Sequence, residues 1–141
     1  MGDEMGDSKE IIGKHVVGAS QAHTHQARLT HLVELISELF GVELEDLTLG
    51  IETRLKPRGL RGIADLIFSN VVFEIKVDLK RELEDARKQL KRYLQALYDQ
   101  EPERRSIGIA TDAIEFKAYI PVIKDGKVIY LKEIGSINIG E

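Results

Sequence analysis

The sequence predicts a mixed α/β domain with the element order αβββαβ, a mixed central sheet flanked by helices, and a C-terminal β-hairpin. Two segments carry apolar residues at helical spacing, several short segments alternate at strand spacing, and glycine, proline and Asp-Gly signals mark the boundaries between them. The 141-residue length suits one domain able to bury a core, and the 43% hydrophobic and 31% charged fractions are those of a soluble globular protein.

Taken in order, residues 1–24 are polar and glycine-bearing without a sustained period. They are expected to form a flexible lead-in with one short ordered piece at Ile11 to Val17, leaving 25–141 as the domain. From Gln26 to Phe40, Leu29, Leu32, Val33, Ile36, Leu39 and Phe40 fall on one helical face, and Gly41 supplies the stop. Leu47 to Lys56 alternates Leu47, Leu49, Ile51, Thr53 and Leu55 with polar neighbours, a half-buried strand ended by Pro57-Arg58-Gly59. Two strands follow, Ile63 to Phe68 and Val71 to Asp78, with Ser69-Asn70 between them. A second helix from about Lys80 to Tyr98 places Leu83, Ala86, Leu90, Leu94 and Leu97 on one face, with Pro102 beyond its end. Strands near Ser106 to Thr111, Glu115 to Val122 and Lys127 to Glu133 complete the order, the last two joined by Asp125-Gly126, a strong hairpin signal.

Composition narrows the function. The chain has no cysteine, which removes disulfides and thiolate zinc sites and points to a reducing, cytoplasmic compartment. No apolar run approaches the ~20 residues of a membrane span, and Met1-Gly2-Asp3-Glu4 lacks the basic flank and apolar stretch of a signal peptide. The net charge of -4 argues against a simple nucleic-acid coat protein. Basic residues nonetheless gather at Arg54, Lys56, Arg58 and Arg61, and again at Lys80, Arg81, Arg87, Lys88, Lys91 and Arg92, while Asp3, Glu4 and Asp7 load the N-terminus with negative charge. Either basic cluster taken alone is most simply a solvated face.

The segment from Ile63 to Val77 carries the chemistry. With a loop at Ser69-Asn70, antiparallel pairing sets Phe68 opposite Val71, Leu66 opposite Phe73 and Ala64 opposite Ile75, all apolar and on one sheet face. The same register sets Asp65 opposite Glu74 on the other face, with Lys76 two residues further along. Opposed carboxylates repel unless something positive lies between them. A divalent cation held by oxygen ligands, Mg²⁺ or Mn²⁺ rather than zinc, resolves that conflict, and Lys76 beside it suits phosphodiester hydrolysis. On spacing alone, the simpler reading of the three residues is the polar side of an amphipathic hairpin, Lys76 screening the acids, since charged residues on an exposed strand face are common.

Asp65 followed by Glu74-Ile75-Lys76, inside an αβββαβ order, resembles the PD-(D/E)xK nuclease superfamily over about residues 25–120. Gln89 and Tyr93 match the Gln-x-x-x-Tyr element of its RecB-like branch. Arg61-Gly62-Ile63-Ala64-Asp65, that element, and Ile107 to Tyr119 together look like the N-terminal nuclease module of restriction-modification enzymes that also carry a methyltransferase. The resemblance implies a restriction-endonuclease-like fold and a Mg²⁺-dependent (or Mn²⁺-dependent) DNA endonuclease, either free-standing or a module of a longer protein. It implies metal ligation by Asp65, Glu74 and the backbone carbonyl of Ile75, a nucleophile-positioning role for Lys76, and support from Gln89 and Tyr93. Many relatives add a glutamate from the first helix, for which Glu34 or Glu38 is available; Glu52 on the first strand is another candidate. Arg54, Arg58 and Arg61 are candidate phosphate contacts. A methyltransferase or specificity subunit and a homodimer are the implied partners, with no membrane association. Residue 64 departs from the superfamily's proline, being alanine. The alternative reading is a non-catalytic DNA-binding or subunit-docking module of the same fold.

Other signals carry less. His23, His25 and His31 lack matched carboxylate spacing for a transition-metal site, and Tyr93, Tyr98 and Tyr119 adjoin apolar stripes, as core aromatics do. Gly59 to Gly62 lacks the Gly-Lys-Ser/Thr ending of a phosphate loop and leads into a strand.

Overall fold

The computed structural model describes residues 2–40, 66–68, 70–103 and 105–140. The strand expected over Leu47 to Lys56, the turn at Pro57 to Gly59, Gly41, Glu52, Asp65 and the arginines Arg54, Arg58 and Arg61 lie outside the described residues. The elements are α1 (Gly2–Gln21), α2 (His25–Phe40), β1 (Leu66–Phe68), β2 (Val71–Ile75), α3 (Leu79–Gln100), β3 (Ile107–Thr111), β4 (Glu115–Lys124) and β5 (Lys127–Asn138). None of the described helices is long and apolar enough to cross a membrane.

The five strands form one sheet in chain order. β1 pairs antiparallel with β2 in the register the sequence predicts, Leu66 opposite Phe73 and Phe68 opposite Val71. β2 and β3 run parallel, Glu74 beside Ala110 and Ile75 beside Thr111. Parallel neighbours need a long crossover, and α3 provides it. β3, β4 and β5 continue antiparallel. At the β4–β5 turn Asp125 and Gly126 both take positive φ, 53° and 77°, the conformation that Asp-Gly favours. The mixed α/β architecture with a mixed, helix-flanked sheet is therefore as expected.

Strand alternation divides the core between two faces. Val72, Ala110, Tyr119, Val128 and Leu131 pack under the apolar stripe of α3, formed by Leu79, Ala86, Leu90, Tyr93, Leu94 and Leu97. Phe73, Ile75 and Ala113 pack on the other face against Leu32 and Ile36 of α2 and Ala19 of α1. Gly108 permits the close seating of α3, since a Cβ there would lie 3.1 Å from a Leu94 methyl and 3.2 Å from a Leu90 methyl.

Three local boundaries differ from the sequence expectation. Gly2–Gln21 is one α-helix rather than a flexible lead-in. It has little helical periodicity of its own and is secured by tertiary packing: Ala19 is buried, and the His15 ring Nε2 bonds the Ala113 carbonyl. β2 ends at Ile75 rather than Asp78, because Asp78 caps α3. Its side chain accepts from the Arg81 amide at 3.3 Å while its own amide donates to Glu82 at 3.3 Å, a reciprocal arrangement of the capping-box kind. β5 runs on to Asn138, five residues beyond Glu133, with pairing irregularities between Ala118 and Tyr119 and between Val122 and Ile123 of β4.

Candidate functional site

β2 presents Glu74 and, one step past its end, Lys76 to the face covered by α3. Residues two apart on an extended segment share a side, so the alternation that sends Phe73 and Ile75 toward α2 sends these two toward α3. Glu74 is buried, with 4% of its surface exposed. A solvated strand face therefore does not describe it. The Tyr93 hydroxyl lies 3.2 and 3.4 Å from the two carboxylate oxygens and donates to them. Tyr93 is itself buried in the α3 core.

Lys76 is less enclosed, with 18% of its side chain exposed, and its ammonium pairs with Asp85 of α3 at 2.5 Å. Burial pulls its pKa down, but the hydrogen bond it donates to Asp85 and the negative charges of Glu74, Asp85 and Glu82 outweigh that, leaving it above the ordinary lysine value. The bond to Lys76 and its positive charge hold the Asp85 carboxyl below the usual range. The Lys76 backbone is fixed too, its amide donating to the Thr111 carbonyl at 2.9 Å.

These two rungs define a line on α3. Asp85, Gln89 and Tyr93 recur every four residues and so stack along one flank of the helix. Asp85 meets Lys76, Tyr93 meets Glu74, and the half-buried Gln89 lies between them in the row. Glu74, Lys76 and Tyr93, predicted separately as two motifs, are brought together by packing of α3 on β2. Asp85 was missed by the sequence reading; its spacing of four residues ahead of Gln89 is the signal that could have found it.

Other predicted residues sit elsewhere. Glu34 and Glu38 are exposed on α2 and line a groove with Ile11, Lys14, His15 and His31, on the α2-covered side of the sheet, away from the Glu74 carboxylate. Ile75 pairs with Thr111, its side chain completely buried. Among the described residues, no three His, Asp or Glu side chains are grouped to hold a metal ion. Asp65 and the three candidate phosphate-contact arginines lie outside the described residues. A cavity of about 340 Å³ between the C-terminal part of α3 and β4, lined by Leu94, Tyr98, Pro102 and Ile120 among others, is at the opposite end of the sheet from Lys76.

Chemically, the arrangement offers a desolvated carboxylate with a phenol donor and a fixed ammonium on the same side of one strand. Comparison with protein-family models, curated proteins and solved structures finds no match. The described fold and site define a mixed α/β protein with a buried glutamate–tyrosine pair beside a lysine–aspartate bridge.

Proposed function

We propose that the chain is a Mg²⁺-dependent endonuclease domain acting on DNA, built on a restriction-endonuclease-like core. The supporting observation is the burial of Glu74 under α3, with Lys76 on the same side of β2 and Tyr93 of the Gln-x-x-x-Tyr element bonded to its carboxylate. Burying a carboxylate costs several kcal/mol unless compensated. A strand position that served packing alone would be filled by an apolar side chain, and a site that employs the charge accounts for a buried carboxylate here better than a structural strand does.

The donor set fits a hard divalent ion. Glu74 and the Ile75 carbonyl would supply oxygen, and Asp65, which the sequence pattern sets opposite Glu74, would supply more. When bound, Mg²⁺ would neutralise phosphate charge and acidify water. The chain's own contribution is to hold the carboxylate through Tyr93 and to keep Lys76 protonated where it can orient water or offset charge on the phosphoryl group. In this reading Arg54, Arg58 and Arg61 bear on phosphates, the compartment is cytoplasmic, and the domain works within a restriction-modification system alongside a methyltransferase.

The test is calorimetric titration of Mg²⁺ and Mn²⁺ into the wild type and the Glu74→Gln variant, with and without DNA, beside a plasmid-nicking assay. Metal binding and nicking in the wild type, both lost in the variant, are the expected result. Wild-type protein that neither binds metal in the presence of DNA nor nicks would overturn the reading in favour of a docking module. Lys76→Ala is expected to lower nicking by at least ~10²-fold with the fold retained by circular dichroism.

A further inference from the structure

The cavity of about 340 Å³ beside the C-terminal part of α3 serves neither the core nor the candidate site. Protein interiors leave few voids larger than a water molecule, so a space of this size has a physical cause. Here two prolines supply it. The pairing of β3 with β4 stops at Gly108 and Tyr119, and β4 runs on from Ile120 without a β3 partner. At Pro121 the strand has no amide hydrogen to offer the connection that arrives from α3, and Pro102 in that connection lacks one as well. Strand and connection stay apart, and the space between them opens over Leu94 and Tyr98 of α3.

The walls divide by chemistry. Leu94, Ile120, Ile123 and the two prolines are apolar, while the polar side chains are those of Tyr98, Arg105 and Ser106. All three can donate hydrogen bonds, and the guanidinium can only donate. Among the described residues none of these three side chains has a hydrogen-bond or ion-pair partner, and no carboxylate, amide or imidazole side chain lines the cavity. Glu101 and Glu103 flank Pro102 in the chain, yet neither lines the cavity or pairs with Arg105. The backbone beneath the donors is fixed by Asn70, between β1 and β2, which clamps both sides of Ser106. Its side-chain amide donates to the Arg105 carbonyl at 2.8 Å, and its carbonyl accepts from the Ile107 amide at 2.9 Å.

We propose that this cavity binds a small monocarboxylate with a hydrocarbon or aromatic body, its head held by Arg105, Ser106 and Tyr98 and its body by Leu94, Ile120 and Ile123. The complement of apolar walls with donors at their polar positions is an apolar molecule whose head only accepts. A carboxylate is such a head, and the guanidinium fork matches its two oxygens. The volume lies at the small end of the ~300–1,000 Å³ range of ligand pockets, which suits one small molecule. The site is at the opposite end of the sheet from Lys76 and depends on nothing in the nuclease reading.

The experiment is a titration of the wild type with sodium octanoate, followed by NMR amide shifts and by calorimetry. Acetate, which has the head without the body, and 1-octanol, which has the body without the charge, are run alongside. Octanoate is expected to bind saturably, to shift amides around Leu94, Ser106 and Ile120, and to bind about tenfold or more tightly than acetate. Arg105→Gln should weaken octanoate by about tenfold or more and leave 1-octanol unchanged. Ile123→Trp, which fills the cavity from its exposed rim, should weaken both. Lys124→Gln, which removes a neighbouring exposed charge outside the cavity, should weaken neither. Circular dichroism melts establish that the three variants are folded. Absence of saturable octanoate binding by the wild type overturns the proposal, as do shifts centred on the exposed apolar side chains of β5. Octanoate binding that Arg105→Gln leaves at the wild-type level, or that Lys124→Gln weakens as much, overturns it too. Glu74→Gln should bind octanoate like the wild type, so loss of the metal site and loss of this one are read separately.

Discussion

At Glu74 and Lys76, side chains two residues apart meet different surroundings. Glu74 is enclosed and accepts from Tyr93, while Lys76 lies at the strand end, where Asp85 reaches it from the exposed side of α3. Tyr93→Phe removes a donor 3.2 Å from a buried carboxylate and is expected to cost about 1.5 kcal/mol in urea denaturation, the lower end of the range for bonds to charged groups because the geometry is long. An unchanged midpoint would mean that the hydroxyl does not hold Glu74. Lys76 and Asp85 shift in opposite directions, and both shifts favour the charged pair. The raised Lys76 pKa gives stability that is complete below the unfolded lysine value and lost as pH rises through the folded one. The lowered Asp85 pKa gives stability present above 3.8 and lost as pH falls through the folded value. Asp85→Asn leaves burial acting on Lys76 with less to oppose it. Its ammonium should therefore titrate at lower pH than in wild type, read by NMR of the lysine side chain; an unmoved titration would show that Asp85 does not set its charge.

Two elements owe their positions to specific polar contacts. α3 begins at the Asp78 cap, and Asp78→Ala should cost ~1 kcal/mol of stability, checked by thermal melting. α1 is joined to the far side of the sheet through the turn after β3, where Ala113 takes a positive φ of 76°. The His15 imidazole bonds the Ala113 carbonyl, and Arg28 of α2 donates to the Asp112 carbonyl at 2.8 Å and to the Ala22 carbonyl at 2.7 Å. Burial lowers the His15 pKa, the largest influence on it; the Ala113 bond and the Glu34 charge oppose this, while the His31 charge adds to it. A lowered histidine pKa makes stability greatest above the unfolded value of 6.5 and erodes it as pH falls through the folded one. Amide exchange in α1 is therefore expected to accelerate relative to α3 as pH falls from 7 to 5. His15→Gln should abolish that difference, and equal pH sensitivity in the variant would rule out His15 as its cause.

At the scale of the molecule, helices pack on both faces of the sheet around β2 and β3, and this decides what the charged residues there can do. Deleting residues 2–21 would uncover part of the α2-side core around Phe73, Ile75 and Ala113, with an expected loss on the order of 2 kcal/mol by denaturant titration. The amphipathic stripes of α2 and α3, the β1–β2 register and the Asp125-Gly126 turn were legible in the sequence because each depends on periodicity or on the conformational preferences of a few neighbouring residues. The pairing of Glu74-Ile75-Lys76 with the Gln89–Tyr93 element was legible only as two motifs in order. Their meeting, the burial of Glu74 and the role of Asp85 depend on how α3 crosses back over β2, a long-range packing outcome that local patterns do not encode. The same holds for α1, whose residues carry little helical periodicity and become ordered through contacts with α2 and the distant turn at Asp112 to Ile114. Sequence by itself determined α2, α3 and the strands from β1 to β5, and which side of α2 and α3 is apolar, because those follow from local chemistry. Tertiary structure alone decided which charges are desolvated and which acid meets which base, because burial and pairing are properties of surfaces brought together from distant parts of the chain.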